Sequence, residues 1–528
     1  MCRKCCPLNM IAIQRYMDKI QEAIHLDALA NHLGILTQSG KDALKEKTGT
    51  WTSDLKRLKQ RSAEFAILQQ IAKEGGLTPL HPLFAELNAL EPEIATLVTK
   101  ASDLELEAFN ELLFLKEWSA PLNFVPLLLA IWSVIRVYVF PGMALLMPFM
   151  MLVLPFILVR FIFRVPLTAG RYFHMITAMF TGQIESLFSP FIPPQSIKLD
   201  LLSLGKYGVI IATVVQSFIQ PYWAFQHLSA IDGIIHTKAT SLQRFQDLYA
   251  QLEFMLGEKG FKMRKNPFAQ DMEDSRQLVA EAQLHPAYLK LALKNLGSLE
   301  VLVCAASKPG LVPVTWLPNP DPIIQLVGAY DYRVGENRIP FNIRLDGAQG
   351  HSLLTGPNRG GKSTTLRAIL TSCALAHTYG FAFADQASMT PFKTLYICLT
   401  PEDLPGKKSR FEREIEFTAE TLKETGRSIV LLDELYHSTN PPDAAQACTL
   451  YTDKLWAKSN TLSIISTHLF DFVEKAPKTI QRLCCPATEQ EDGSIRYSYQ
   501  LSPGISKVSS VKELLLENGL MDVNNYRK

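Results

Sequence analysis

Gly356-Pro357-Asn358-Arg359-Gly360-Gly361-Lys362-Ser363-Thr364 gathers three glycines, a lysine and two hydroxyls into nine residues. The spacing fits G-x-x-x-x-G-K-[ST], a phosphate cradle. Glycines let successive backbone N–H groups turn toward the phosphates, and the helix that follows adds its positive end. Lys362 would then reach the β/γ-phosphates and the Ser363 hydroxyl would hold Mg²⁺. Apolar Ser352-Leu353-Leu354 predicts the strand entering this loop, and Thr365 to Leu370 the helix leaving it.

Two further runs supply the remaining chemistry. Ser428-Ile429-Val430-Leu431-Leu432 ends in Asp433-Glu434, the pattern of a buried parallel strand with carboxylates at its C-terminal edge. That edge faces the ligand in open α/β sheets. Asp433 is assigned to Mg²⁺ through water, and Glu434 to polarising the attacking water. Leu462 to Ser466 predicts a third strand, followed by Thr467-His468. An imidazole there could sense or stabilise the γ-phosphate. A lone histidine is more often a satisfied core residue, but its order after the acidic strand favours the sensor. The three elements predict an ATPase with Lys362, Glu434 and His468 as catalytic groups and ATP and Mg²⁺ as cofactors.

The spelling narrows the class. Gly356 to Thr364 closely resembles the GPNxGGKST loop of the MutS mismatch-repair family, a branch of the ABC-type ATPases. Asp433-Glu434-Leu435-Tyr436-His437-Ser438-Thr439-Asn440 is similar to that family's DELGRGT segment, and Ser466-Thr467-His468 to its ATH. Ser409-Arg410-Phe411-Glu412-Arg413-Glu414, just after Gly406, resembles its S-x-F-x-x-E segment. The resemblance is strong over about 310–500 and weak elsewhere. It implies an α/β P-loop (ABC-type) ATPase domain in which Ser409 is offered to the ATP of the opposite subunit. A homodimer with two composite sites follows, with DNA as a candidate partner in a mismatch repair-type activity. Tyr436-His437-Ser438 stands where the family has Gly-Arg-Gly, and Lys407-Lys408 lengthens the segment before Ser409. These departures bear on communication between the two sites, and leave the core of ATP binding intact.

The elements that must position this site occupy the rest of a 528-residue chain, enough for two or three domains. Net charge is +2 and charged residues make up 20%, so bulk electrostatics give no argument for nucleic acid. The basic run Lys41 to Arg61, with Lys56, Arg57 and Lys59, suits a solvated helix face as well as a phosphate-contacting patch. The nine cysteines have no zinc-ligand spacing and read as reduced thiols, with palmitoylation of Cys2, Cys5 and Cys6 an alternative. No signal peptide or internal repeat is legible.

A second signal is apolar. Val137 to Val159 runs about 23 residues without a charge, and Ser119 to Ile135 about 17. They predict a transmembrane helical hairpin turning near Pro141, with Trp118 and Trp132 at the interfaces. A buried hairpin in a large helical domain is the alternative. Arg160, Arg164, Arg171 and Lys116 flank the pair while Arg136 alone lies near the turn. The positive-inside rule then puts both ends, and the ATPase, in the cytoplasm of a multi-pass membrane protein. Tyr207 to Phe225 is a weaker run, interrupted by Gln216, Gln220 and Pro221, and reads as an interfacial or buried helix before a third span.

Periodicity makes most of the remainder helical, with Ile231–Leu256 and Asp274–Ala306 as returning helices. The expected organisation is an N-terminal helical region (1–118), the transmembrane hairpin (119–164) and a membrane-proximal segment (165–230). A lever-like helical domain (231–308), the ATPase domain (309–505) and a C-terminal helix (506–528) complete it. Pro309 to Pro322 would connect helices to sheet. Too few residues precede the hairpin for a mismatch-binding domain, and Phe84-Ala85-Glu86 matches that domain's Phe-x-Glu wedge at a frequency chance allows. The expected function is a membrane-anchored ATPase whose dimer cycles on ATP, working on DNA or on an unknown protein partner.

Overall fold

A computed structural model describes residues 20–98, 103–181, 201–268, 272, 275–347, 349–399, 409–490 and 494–520. The cysteine cluster Cys2–Cys6, Asp274, Gly406 and Lys407-Lys408 lie outside them. The chain divides into two units. One comprises Met1–Ala89, Ala250–Lys265 and Leu293–Lys528, the other Leu90–Tyr249 and Asn266–Ala292. This partition cuts across the sequence-based boundaries at 118 and 308, because early helices belong with the sheet that follows them by hundreds of residues.

Continuous apolar runs build the centre of the first unit. Strands β1 (His351–Thr355), β2 (Thr394–Cys398), β3 (Ser428–Leu432), β4 (Thr461–Ser466), β5 (Gln481–Cys484) and β6 (Ser502–Pro503) form one sheet in the order β6-β5-β1-β4-β3-β2. All pairs are parallel except β5–β6. Every residue of β1, β3 and β4 is buried, as strands covered on both faces require. Helices Arg410–Lys423 and Pro441–Trp456 supply Phe417, Cys448 and Leu455 to a core shared with Val430, Leu432 and Ile465. A four-stranded sheet is built from Thr315–Trp316, Gln386–Met389, Ile324–Ala329 and Phe341–Leu345. The expected connector Pro309–Pro322 therefore contributes strands of its own.

The helix after the phosphate loop, Lys362–Tyr379, is gripped at its far end by the N-terminal helices Gln38–Thr48 and Leu55–Lys73. Trp51 stacks on His377 at 4.1 Å and its Nε1 donates to the Phe392 carbonyl at 2.8 Å. Arg61 donates to the His377 carbonyl, and Ser62 Oγ to that of Gly380 at 3.0 Å. Gly380 caps the helix at φ 86°, and a Cβ there would lie 2.5 Å from the Arg61 backbone, so only glycine fits. Lys47 sits 4.2 Å over the Tyr379 ring. Two members of the basic run thus face inward, whereas Lys56, Arg57 and Lys59 are exposed.

In the second unit the expected turn near Pro141 is absent. Pro126–Ile162 is one helix of 37 residues, and among the described residues the one long and apolar enough to cross a bilayer. Pro141 would clash with the Val137 carbonyl in a plain α-turn. The π-turn Ile135–Val139 just before it widens the ladder, and a second, Leu158–Ile162, follows Pro155. The first part of the helix is not lipid-like: Leu129, Ser133 and Val137 form a buried stripe, and Ser133 Oγ donates to Asp232 at 3.2 Å. Trp132 Nε1 donates to the Glu111 carbonyl at 3.2 Å, and Arg136 pairs with the Glu111 carboxylate at 2.9 Å. Beyond Val137 the helix is different, with Phe140, Met143, Met147 and Met151 exposed. One continuous helix separates Arg136 from Arg160 and Arg164 by the whole apolar stretch, so the charge argument that placed both ends together loses its basis.

Tyr207–Phe225 lies within a helix running Leu201–Glu258. It is neither buried nor separate, since Val209, Val215, Ile219 and Trp223 are exposed. Tyr138 meets Phe225 at 5.9 Å, and a crevice of about 870 Å³ is lined by Met147 and Met151 from one helix and Val214 and Gln220 from the other.

Candidate nucleotide-binding site

β4 lies between the P-loop strand β1 and the acidic strand β3, with Ser466 opposite Leu354 and Ile465 opposite Leu432. The three C-terminal ends are therefore level, and the loops they launch converge. Backbone geometry of the P-loop explains its composition. Gly356 and Gly361 have φ of 150° and 101°, and a Cβ on Gly360 would meet the Pro357 carbonyl at 2.9 Å. Arg359 holds φ 64° without being glycine. Lys362 opens the helix, with Ser363 and Thr364 in its first turn.

The Lys362 ammonium is buried and lies 2.9 and 3.1 Å from the Gly356 and Pro357 carbonyls and 3.2 Å from His468 Nε2. Burial lowers its pKa, while the Glu434 and Asp433 carboxylates pull it back up. His468 Nε2 also lies 3.0 Å from Asn358 Oδ1 and 3.3 Å from Glu434 Oε1. One ring nitrogen cannot both donate and accept. Two acceptor oxygens and one ammonium face it; a proton on Nε2 lets the imidazole donate to Glu434, and Lys362 is then a neighbour without a hydrogen bond to it. That bond holds the Glu434 carboxyl below its ordinary value despite burial, so the group stays ionised.

Ser466, the last residue of β4, joins the two acids. Its hydroxyl donates to Asp433 Oδ1 at 2.5 Å and accepts the Glu434 N–H at 2.8 Å. A signal existed, since Ser466 stands where the resembling segment has alanine. Glu434 and Tyr436 have φ of 51° and 58°, so the turn after β3 carries two non-glycine residues in the left-handed region.

Phosphate loop, Asp433, Glu434 and His468 are thus brought together. Ser409 is not: it is exposed, caps the helix Arg410–Lys423, and its side chain bonds within a capping box with Glu412. Phe84 of the Phe-x-Glu triplet is 1% exposed inside the helix His81–Val98 and has no free face for a base.

Among the described residues no group of three His, Cys, Asp or Glu could hold a metal unaided. The Ser363 hydroxyl, in the first turn after the phosphate loop, and the Asp433 carboxylate, directly after β3, are oxygen donors of the kind Mg²⁺ uses when phosphates and water complete its shell. The residues fit that ion in company with a nucleotide. Ser363 and Asp433 would hold it, and it would supply charge neutralisation for the phosphates.

A parallel sheet that launches a glycine-rich loop, an acidic pair and a histidine from three adjacent strands defines a P-loop ATPase. Residues 352–513 match the family model of MutS domain V, an ABC-type ATPase domain, so this part of the chain is an ATP-binding ATPase domain of that type. The chain is similar to the DNA mismatch repair protein MutS of Thermus thermophilus, 35% identical over 170 residues, 32% of this chain and 21% of the relative. MutS of Thermus aquaticus is 33% identical over 170 residues, again 32% of this chain and 21% of the relative. The chain spans about a fifth of the length of these curated relatives, and the likeness is confined to its C-terminal third.

Proposed function

We propose that the chain is a membrane-anchored, MutS-like ATPase that pairs with a second copy around two Mg·ATP and uses hydrolysis to drive a conformational change. The carrying observation is the Lys362–His468–Glu434 cluster beside Asp433. Lys362 would exchange its loop carbonyls for phosphate oxygens. Glu434, kept ionised by His468, would accept a hydrogen bond from the attacking water, and His468 would hold that carboxylate in place. Asn358 keeps the imidazole oriented.

Pairing is supported by Ser409, whose exposed position at a helix N-terminus makes no bond to the P-loop of its own chain. MutS family ATPases dimerise, and this serine would complete the partner's site. The membrane reading is supported by the exposed apolar stretch from Phe140 to Ile162, about 35 Å of helix at ~1.5 Å per residue. Its neighbour in the bilayer would be the Val209–Trp223 stretch, and Arg160 and Arg164 would snorkel to the far boundary. The ATPase domain would face the cytoplasm, where ATP is.

The relatives are DNA mismatch repair proteins, and DNA is the partner they suggest. The buried Phe84 and the restriction of the likeness to domain V favour a protein partner instead. ATP turnover of detergent-solubilised full-length protein, with homoduplex, mismatched and branched DNA over a salt series, tests this. Turnover indifferent to every DNA is the expected result. Stimulation by one DNA structure that fades as salt rises would overturn the protein-partner reading in favour of a DNA sensor.

A further inference from the structure

Tyr436 sits two residues after Glu434, at a position where the resembling loop has glycine. The backbone still adopts the glycine-like conformation, φ 58°, which disfavours a side chain by about 1–2 kcal/mol. Such a conformation persists only where the surroundings over-determine it. Here they do. Tyr436 is 2% exposed, its ring meets Phe411 edge-on at 5.7 Å, and its hydroxyl shares a 2.6 Å hydrogen bond with Thr418 Oγ1. Two residues on, Ser438 Oγ donates to Glu414 Oε2 at 3.2 Å, and Glu414 is itself buried. Phe411, Glu414 and Thr418 all lie on the helix Arg410–Lys423, and the cap of that helix is Ser409.

The turn that carries the hydrolytic acids is therefore joined to the helix that carries the serine through two hydrogen bonds and a ring contact. Glycines in that loop could make none of these side-chain links. We propose that Tyr436 is a positioning residue: it locks Glu434 to the Ser409 helix, so that engagement of Ser409 by the partner's ATP is transmitted to the hydrolytic carboxylate of its own site. The inference rests on the two-site dimer proposed above. Thr418 is the receiving half of the lock, and Ser438–Glu414 a second fastening.

Tyr436→Phe deletes only the shared hydrogen bond and keeps ring and backbone. Thr418→Val deletes the same bond together with the Thr418 Oγ1 bonds to the Glu414 and Ile415 carbonyls, so Tyr436→Phe is the cleaner probe. The full-length protein is assayed for kcat and KM separately, for the Hill coefficient in ATP, and for Tm. The expected result is a kcat lowered about fivefold to tenfold, the scale of one buried hydrogen bond, with KM within about twofold and the Hill coefficient moved toward one. The double variant should be no worse than Thr418→Val alone. A purely structural role would lower Tm and leave the Hill coefficient where it was, and that outcome overturns the inference. Ser409→Ala separates the two levels. Parent turnover that needs Ser409 but ignores Tyr436→Phe defeats the inference alone. Turnover that ignores Ser409→Ala, or a parent without turnover, defeats the two-site reading and the inference with it.

Discussion

The nucleotide site and the Phe140–Ile162 helix depart from ordinary protein surfaces in opposite directions. At the site, charge is buried: Lys362 is 5% exposed and sits among carbonyls, an imidazole and two carboxylates. Along the helix, hydrocarbon is exposed: Met151 and Phe161 are 70% and 68% open. Buried charge must be held by partners, and each partner of Lys362 is set by the convergence of three strand ends. Exposed hydrocarbon must be covered by something outside the described structure. The difference lies in how much each surface specifies: the site presents a phosphate loop, a lysine, an imidazole and two carboxylates at fixed distances, the helix only apolar side chains.

The site side of that contrast breaks hardest at Glu434. Glu434→Gln should lower turnover by about 10²- to 10⁴-fold, the usual share of a positioned acid–base group, while ATP binding and the ATP-bound dimer persist. Single-turnover ATPase assays and size-exclusion with ATP check this, and equal turnover by variant and parent would defeat the mechanism. Lys362→Ala should weaken ATP itself, by roughly 30-fold to several thousand-fold for a buried charged contact at about 2–5 kcal/mol, measured with a fluorescent ATP analogue.

On the apolar side, Met151→Lys places a charge mid-helix. It should reduce partition into vesicles by on the order of 100-fold, from about 2.5–3.5 kcal/mol per charge, with ATP turnover in detergent unchanged. Flotation that ignores the substitution would remove the membrane from the comparison. The smallest effect concerns the grip on the P-loop helix. His377 is held neutral, with its ring between the Cys373 carbonyl and the Phe392 N–H, and burial lowers its pKa to about 3. Between pH 3 and the unfolded value of about 6.5 the unfolded chain binds more protons, so stability is full above that range and is lost as pH falls through it. His351, lowered to about 4 by burial, acts in the same direction. Thermal melts from pH 7.5 to 4.5 should show a falling Tm, and His377→Gln should flatten the slope.

Motifs made of neighbours in sequence were legible from residue order alone. The P-loop, the acidic strand and the strand before His468 fall where their residues predict, because phosphate binding and strand burial both require contiguous residues of fixed type. The apolar stretch was legible too, as composition, but its shape was not. Pro141 looked like a turn, and only the π-turn before it shows how the helix passes through. The Tyr207–Phe225 run was legible as apolar, but not as part of one helix that runs Leu201–Glu258.

Tertiary structure alone decided what distant residues do for one another. Residue types could not announce that Trp51 would close on Phe392, 341 positions away, or that Ser466 would tie Asp433 to Glu434. Nor could they reveal that Tyr436 would fill the space beside Thr418. A motif is fixed by the chemistry of its ligand, which is the same in every chain that binds it. Packing partners are fixed by the shape left when strands and helices have assembled, and that shape exists only in the folded chain.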